Sequence, residues 1–183
     1  KFIGGIKLMA IVDKPTDLFN TLLYSGNNTN NTSITGVGFE PDLTWIKNRN
    51  SSGNNCLFTQ MTGLDVAGYL ASNSANAFAS DATLFKSFNS DGYTVGTGGN
   101  VNDSGRTYCS WNWLGANGTS SNTTGSIDST VSANTTAGFS IVKYTGNATV
   151  STIGHGLGVA PKMIITKNIS RSDAWPVDCR QGN

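Results

Sequence analysis

The sequence predicts an all-β protein: an antiparallel β-sandwich followed by a partial second repeat. Aromatic and β-branched residues come in short runs, each closed by Gly, Asn, Asp or Ser, which is the pattern of strands and turns. A stretch near the start returns near the end at a fixed offset, so the unit of organisation is a repeat rather than a helix pattern. The segment between Met61 and Asp81 has the Ala and Leu content of a helix, but Gly63, Gly68 and several Asn and Ser residues break any 3.6-residue period. It is expected to be loop with a short strand.

Phe19-Asn20-Thr21-Leu22-Leu23-Tyr24 reads as the first strand, stopped by Ser25-Gly26. The glycines of Gly36-Val37-Gly38-Phe39-Glu40-Pro41 permit positive φ, and the proline fixes the approach to the strand Leu43-Thr44-Trp45-Ile46-Lys47. Leu84–Phe88 and Gly92–Val95 flank Asn89-Ser90-Asp91-Gly92, a hairpin signal of the Asp-Gly kind. In Thr107–Trp113 the alternation puts Cys109, Trp111 and Trp113 on one face and Tyr108, Ser110 and Asn112 on the other. The Cys/Trp face is expected to point into the core. Residues 115–138, rich in Gly, Ser, Thr and Asn, read as a linker with one short strand near Ile127 to Val131.

The repeat needs no gap. Phe19, Tyr24, Gly26, Asn27, Gly36, Gly38, Pro41, Lys47 and Asn48 return as Phe139, Tyr144, Gly146, Asn147, Gly156, Gly158, Pro161, Lys167 and Asn168, with 139 − 19 and 168 − 48 both equal to 120. That period exceeds the ~20 to 50 residues of solenoid repeats, so the unit is close to a domain. The expected organisation is an arm or the end of a preceding domain over 1–18, a first sandwich over 19–114, the linker over 115–138 and the truncated start of a second copy over 139–183. An incomplete copy would leave strand edges and residues such as Ile164 and Ile165 uncovered, which favours association.

Composition narrows the function classes. Of 183 residues, 13% are charged and the formal net charge is +1, which offers no field to nucleic acid or to an anionic membrane. No apolar run reaches the ~20 residues of a membrane span, and Lys1 to Val12 lacks the marks of a signal peptide. Cys56, Cys109 and Cys179 are odd in number and lack metal-ligand spacing, so they read as buried small apolar residues.

The segments Gly36 to Arg49, Ser87 to Gly96, Trp111-Asn112-Trp113 and Gly154 to Ile164 resemble a repeated module of tailed-phage proteins, especially those of marine phages. Its members are similar to concanavalin-A-like lectin sandwiches and sit in long fibre-like or virion-surface proteins. The resemblance covers Phe19 to about Asp178. It implies a lectin-like jelly roll, a virion location on tail or capsid surface, and a part in host attachment, with no catalytic set to carry over.

The residues themselves offer little chemistry. Glu40 is the sole Glu, and its neighbour Asp42 is answered by Lys162 in the second copy, so the carboxyl pair of a glycosidase is not expected there. His155, the sole His, is answered by Thr35 and reads as a turn residue. Gly36-Val37-Gly38 begins like a dinucleotide loop, but no GxGxxG and no βαβ unit follow. Asn100 to Gly105 could be imagined as a calcium loop, yet Asx-turn chemistry explains the same residues and no metal site is expected. Trp45 is answered by Ile165, which keeps a core role and removes sugar stacking; Trp111 and Trp113 are likewise assigned to the core.

The expected function is therefore a non-enzymatic virion protein of tail-fibre or surface-fibre type, with no cofactor, that attaches to the host surface. The alternative is a polysaccharide-degrading sandwich enzyme. Expected partners are other virion subunits, including copies of itself, and a host-surface glycan or protein, without nucleic acid or membrane. Contacts are expected on the polar loops, with Asn28, Asn30, Asn102 and Asp103 as candidates.

Overall fold

The computed structural model describes residues 14–61 and 66–179; the opening segment Lys1 to Val12 lies outside them. A 3-10 turn at Pro15–Asp17 leads into β1 (Phe19–Ser25). Then come β2 (Thr32–Thr35), β3 (Leu43–Asn48), β4 (Cys56–Thr59), β5 (Gly68–Ala71), β6 (Ala79–Ser80), β7 (Phe85–Asn89), β8 (Gly92–Val95) and β9 (Thr107–Trp113). All pair antiparallel. One sheet runs β1-β9-β3-β4-β5-β6 and the other β2-β8-β7. They close on one core, in which Ile46, Cys56, Phe58 and Tyr108 of the first meet Ile34, Phe85, Tyr93 and Val95 of the second. The rings of Phe58 and Phe85 stack across the interface at 4.5 Å. Each such large apolar side chain, fully buried, stabilises the fold by about 1.5–3 kcal/mol.

The alternation in β9 is as the sequence implies, but the faces are reversed. Tyr108, Ser110 and Asn112 are fully buried, while Cys109, Trp111 and Trp113 are only half-buried on the outside of the sheet, as is Trp45. Polar residues can occupy the inner face because they satisfy one another. Thr44 Oγ1 donates to Asn112 Oδ1 at 3.1 Å, and Asn112 Nδ2 donates to Ser110 Oγ and to the Asn20 carbonyl, both at 3.1 Å. Asn20 Nδ2 then donates to the Val37 carbonyl at 2.9 Å, so the network anchors the loop that follows β2. Outside, the aromatic rings pair with each other, Trp45 with Trp111 at 5.4 Å and Phe19 with Trp113 at 5.0 Å.

Residues 115–138 are more ordered than a linker. They carry β10 (Ser120–Asn122) and β11 (Ser129–Asn134), which form a three-stranded sheet with β12 (Phe139–Tyr144). The fully ionised form of Asp42 would be costly to bury alone, but its carboxylate accepts from Gly115 N–H at 2.7 Å, Asn117 N–H at 3.2 Å and Ser132 Oγ at 2.8 Å. A hydroxyl-rich segment that looks flexible is therefore tied to the sandwich, because two of its backbone N–H groups and the Ser132 hydroxyl complete a buried acid.

Beyond β12 the elements fall at the repeat offset. β13 (Met163–Ile165) and β14 (Val177–Cys179) pair Met163 with Cys179 and Ile165 with Val177. β3 and β4 pair Leu43 with Thr59 and Trp45 with Leu57, the same register 120 residues earlier (163 − 43 and 179 − 59). Local details follow the same spacing. Asn28 and Ala148 both have left-handed φ, 54° and 61°. Asn27 Oδ1 accepts from Thr29 N–H, and Asn147 Oδ1 from Thr149 N–H. In the second half Ile164 and Ile165 are 40% and 52% exposed, and β13 has a single partner where β3 has two.

Candidate functional site

One end of the sandwich is a crown of three polar loops, 27–31, 49–55 and 99–106, and buried Asn102 joins two of them. Asn102 Nδ2 donates to the carbonyls of Thr29 at 2.9 Å and Gly96 at 2.8 Å, and its Oδ1 accepts from Asn27 N–H at 3.0 Å. Its own carbonyl accepts from Asn28 N–H at 2.8 Å. The third loop is fixed in the same manner: Asn100 Oδ1 accepts from Asn54 N–H at 3.1 Å, and Asn50 Oδ1 accepts from Thr107 N–H at 3.0 Å. Beneath the crown Tyr24 and Tyr108 stack at 5.1 Å, with the Tyr24 hydroxyl donating to the Val101 carbonyl and the Tyr108 hydroxyl to that of Gly99. Burial pushes both phenols up from their ordinary value.

Asn102 therefore holds the loops and does not face a ligand. Asn28 and Asn30 are exposed on the rim, and Asp103 is half-exposed with its carboxylate 3.6 Å from Arg106 Nε. The side-chain oxygens of Asn100 and Asn102 are directed at backbone amides of neighbouring loops rather than toward a common point. Among the described residues no group of three His, Cys, Asp or Glu comes together. The turn-rich sequence from Arg49 to Asn55 signals a loop, but its contribution to the crown depends on long-range bonds to Asn100 and Thr107 that spacing alone does not reveal.

The remaining titratable candidates have structural surroundings. Glu40 Oε1 accepts from Gln60 Nε2 at 3.1 Å, and Asp42 is enclosed as described. Asp91, in the turn between β7 and β8, accepts from Gly36 N–H at 3.1 Å through Oδ2 and from Gly38 N–H at 2.6 Å through Oδ1. His155 lies far from these carboxylates in sequence, on an open groove of about 530 Å3 between the β10 turn and the second glycine loop.

The fold is thus an antiparallel β-sandwich with an amide-lined loop crown at one end, followed by smaller antiparallel sheets. The chain belongs to the DUF7483 family, a domain of unknown function, which it matches over residues 14–181 and hence across both the sandwich and the C-terminal sheets. No curated protein and no solved structure matches it.

Proposed function

We propose that the chain is a non-catalytic module of a bacteriophage virion protein, of tail-fibre or surface-fibre type, that presents its loop crown to a host-surface glycan or protein. The observation that carries this reading is the crown itself. Its backbone is held by buried bonds through Asn102, while the rim exposes the amides of Asn28 and Asn30, a rigid base under hydrogen-bonding tips. The sandwich supports the lectin-like resemblance of its motifs, and the exposed apolar strand β13 suits contact with other virion subunits, copies of this chain included. Attachment needs no tuned acid or base, and Glu40, Asp42 and Asp91 are occupied in holding loops.

The test is adsorption of the protein to host cells and to their isolated surface polysaccharide. The Asn28→Gly/Asn30→Ala variant, which keeps the left-handed φ of 54° at position 28 accessible, should bind at least about tenfold more weakly with little change in melting temperature. Unchanged binding would remove the crown from the account. Release of reducing ends from the polysaccharide, abolished by Glu40→Gln or His155→Ala, would replace attachment with degradation.

A further inference from the structure

The loop that Asp91 closes has a sister that no described residue closes. Gly36 and Gly38 have φ of 94° and 90°; Gly156 and Gly158, 120 residues later (156 − 36 and 158 − 38), have 75° and 72°. In such a loop alternate N–H groups can turn to one side and form a concavity for an anion. The first loop shows its use: both N–H groups donate to the two oxygens of one carboxylate, at 3.1 and 2.6 Å. In the second loop the N–H groups of Gly156 and Gly158 have no hydrogen bond among the described residues, and both glycines are exposed. β8 covers the first loop, since β2 pairs along its whole length with Thr94 and its neighbours. The counterpart residues 152–155 are held differently: Ile153 bridges to Ile127, Thr152 exchanges bonds with Ser126, and the carbonyls of Gly154 and His155 accept from the hydroxyls of Ser129 and Ser140.

The second loop instead borders the 530 Å3 groove, whose other walls include Asn122, Thr124, Thr152 and His155. Leu157 N–H donates to His155 Nδ1 at 3.2 Å, so in the neutral ring Nε2 carries the proton and is a donor. Asn122 uses its Oδ1 to accept from Thr124 N–H and Oγ1, which leaves its Nδ2 donors without a bond among the described residues. The groove is thus bordered by two glycines whose φ angles lie in the same left-handed region as those of a working carboxylate clasp, together with amide and imidazole donors, and has no acid among its lining residues.

We propose that the Gly156–Gly158 loop is a carboxylate-binding site and that its ligand is an acidic saccharide, a chain bearing uronate groups. The carboxylate would take the place that Asp91 takes in the first loop. Hydroxyls of the sugar would meet Asn122, Thr124 and Thr152, and its C–H face would lie on Ile153, Val159 and Ala160. A second copy of the chain is the poorer occupant, because the Asp91 that would fit the loop is already bound in its own molecule. The saccharide identity rests on the attachment reading above; the carboxylate site rests on the paired loops alone.

The experiment is a titration of the whole chain with oligogalacturonate, followed through its amide 1H–15N resonances, beside the methyl-esterified oligomer and an acidic peptide of equal charge. Saturable shifts of Gly156 and Gly158 with oligogalacturonate, unmatched at Gly36 and Gly38 and at least about tenfold weaker with the ester, are the expected result. His155→Glu, which brings a negative charge to the groove, should weaken the shifts by a similar factor, whereas Thr35→Glu at the sister position should not. Equal response to ester and acid would overturn the carboxylate role. Tighter binding of the peptide would overturn the saccharide, and no response at Gly156 or Gly158 would overturn the site. Because no cells are used, this failure is separable from that of attachment, which the crown variant tests independently.

Discussion

Residues 19–59 and 139–179 are built with the same local devices, yet one is the wall of a closed sandwich and the other lies open. Both have a strand ended by an Asx turn, a left-handed residue, two glycines of positive φ and a hairpin in one register. In the first half β9 enters between β1 and β3, and the β2-β8-β7 sheet covers the result. In the second half β12 pairs with β11, and β13 with β14 alone. Backbone conformation is thus decided locally, by turn residues and glycines, while burial is decided by which strands arrive from elsewhere.

The largest difference should appear in core substitutions. Ile46→Ala, at a fully buried position, should cost about 2–5 kcal/mol in chemical denaturation. Ile165→Ala, on the exposed hairpin, should stay within about 0.5 kcal/mol. Similar losses at both would mean that the second half is covered in solution, by association or by other contacts.

The sandwich should also answer to alkali. Burial pushes the Cys56 thiol up to about 12 from its ordinary 9.0, and buried Tyr24 and Tyr93 are raised as well. These groups stay protonated in the fold after the unfolded chain has begun to ionise. Their stabilisation is therefore complete below about pH 9 and is lost as pH rises from there toward the folded values. Denaturation midpoints should be level from neutrality to about pH 9 and then fall. Thiol labelling at neutral pH sharpens the contrast, with Cys179, exposed on β14, reacting first, Cys109 later and Cys56 only on unfolding.

Asp42→Asn should come next, at about 1–3 kcal/mol, since the amide cannot accept from Gly115, Asn117 and Ser132 together without turning a donor toward one of them. Its loss should loosen β10 to β12 more than β3 to β5. Asp91→Asn should cost about 1 kcal/mol, because the clasp it forms with Gly36 and Gly38 is near the surface.

The strands β1, β3, β7, β8, β9, β12 and β13, the Asp-Gly hairpin and the glycine loop were legible in the sequence because each is fixed by residues close together in the chain, while the shorter β2, β4, β10 and β14 were not. The orientation of β9 was not. Alternation separates Tyr108, Ser110 and Asn112 from Cys109, Trp111 and Trp113, but the inner face is chosen by partners as distant as Asn20 and Thr44. Hydrophobicity points the wrong way wherever a polar set is mutually satisfied. Within 115–138 the strand expected near Ile127 to Val131 overlaps β11, whereas β10 and the burial of Ser132, which bonds to Asp42 90 positions earlier, were hidden for the same reason. Of the candidate site, the loops 27–31 and 99–106 could be placed from their polar turns, but the part of 49–55 in the crown could not. The inward role of Asn102 and the exposed N–H groups of Gly156 and Gly158 required the bonds themselves.

The comparison of the halves is tested most directly by amide hydrogen exchange at two glycines. Gly38 donates to Asp91 and Gly158 to no described residue, although their backbone conformations are alike. The Gly38 amide should be protected and should lose that protection in Asp91→Ala, while Gly158 exchanges near the rate of an open chain in both proteins. Equal protection at the two glycines in the unliganded protein would contradict the view that the first half is closed and the second open.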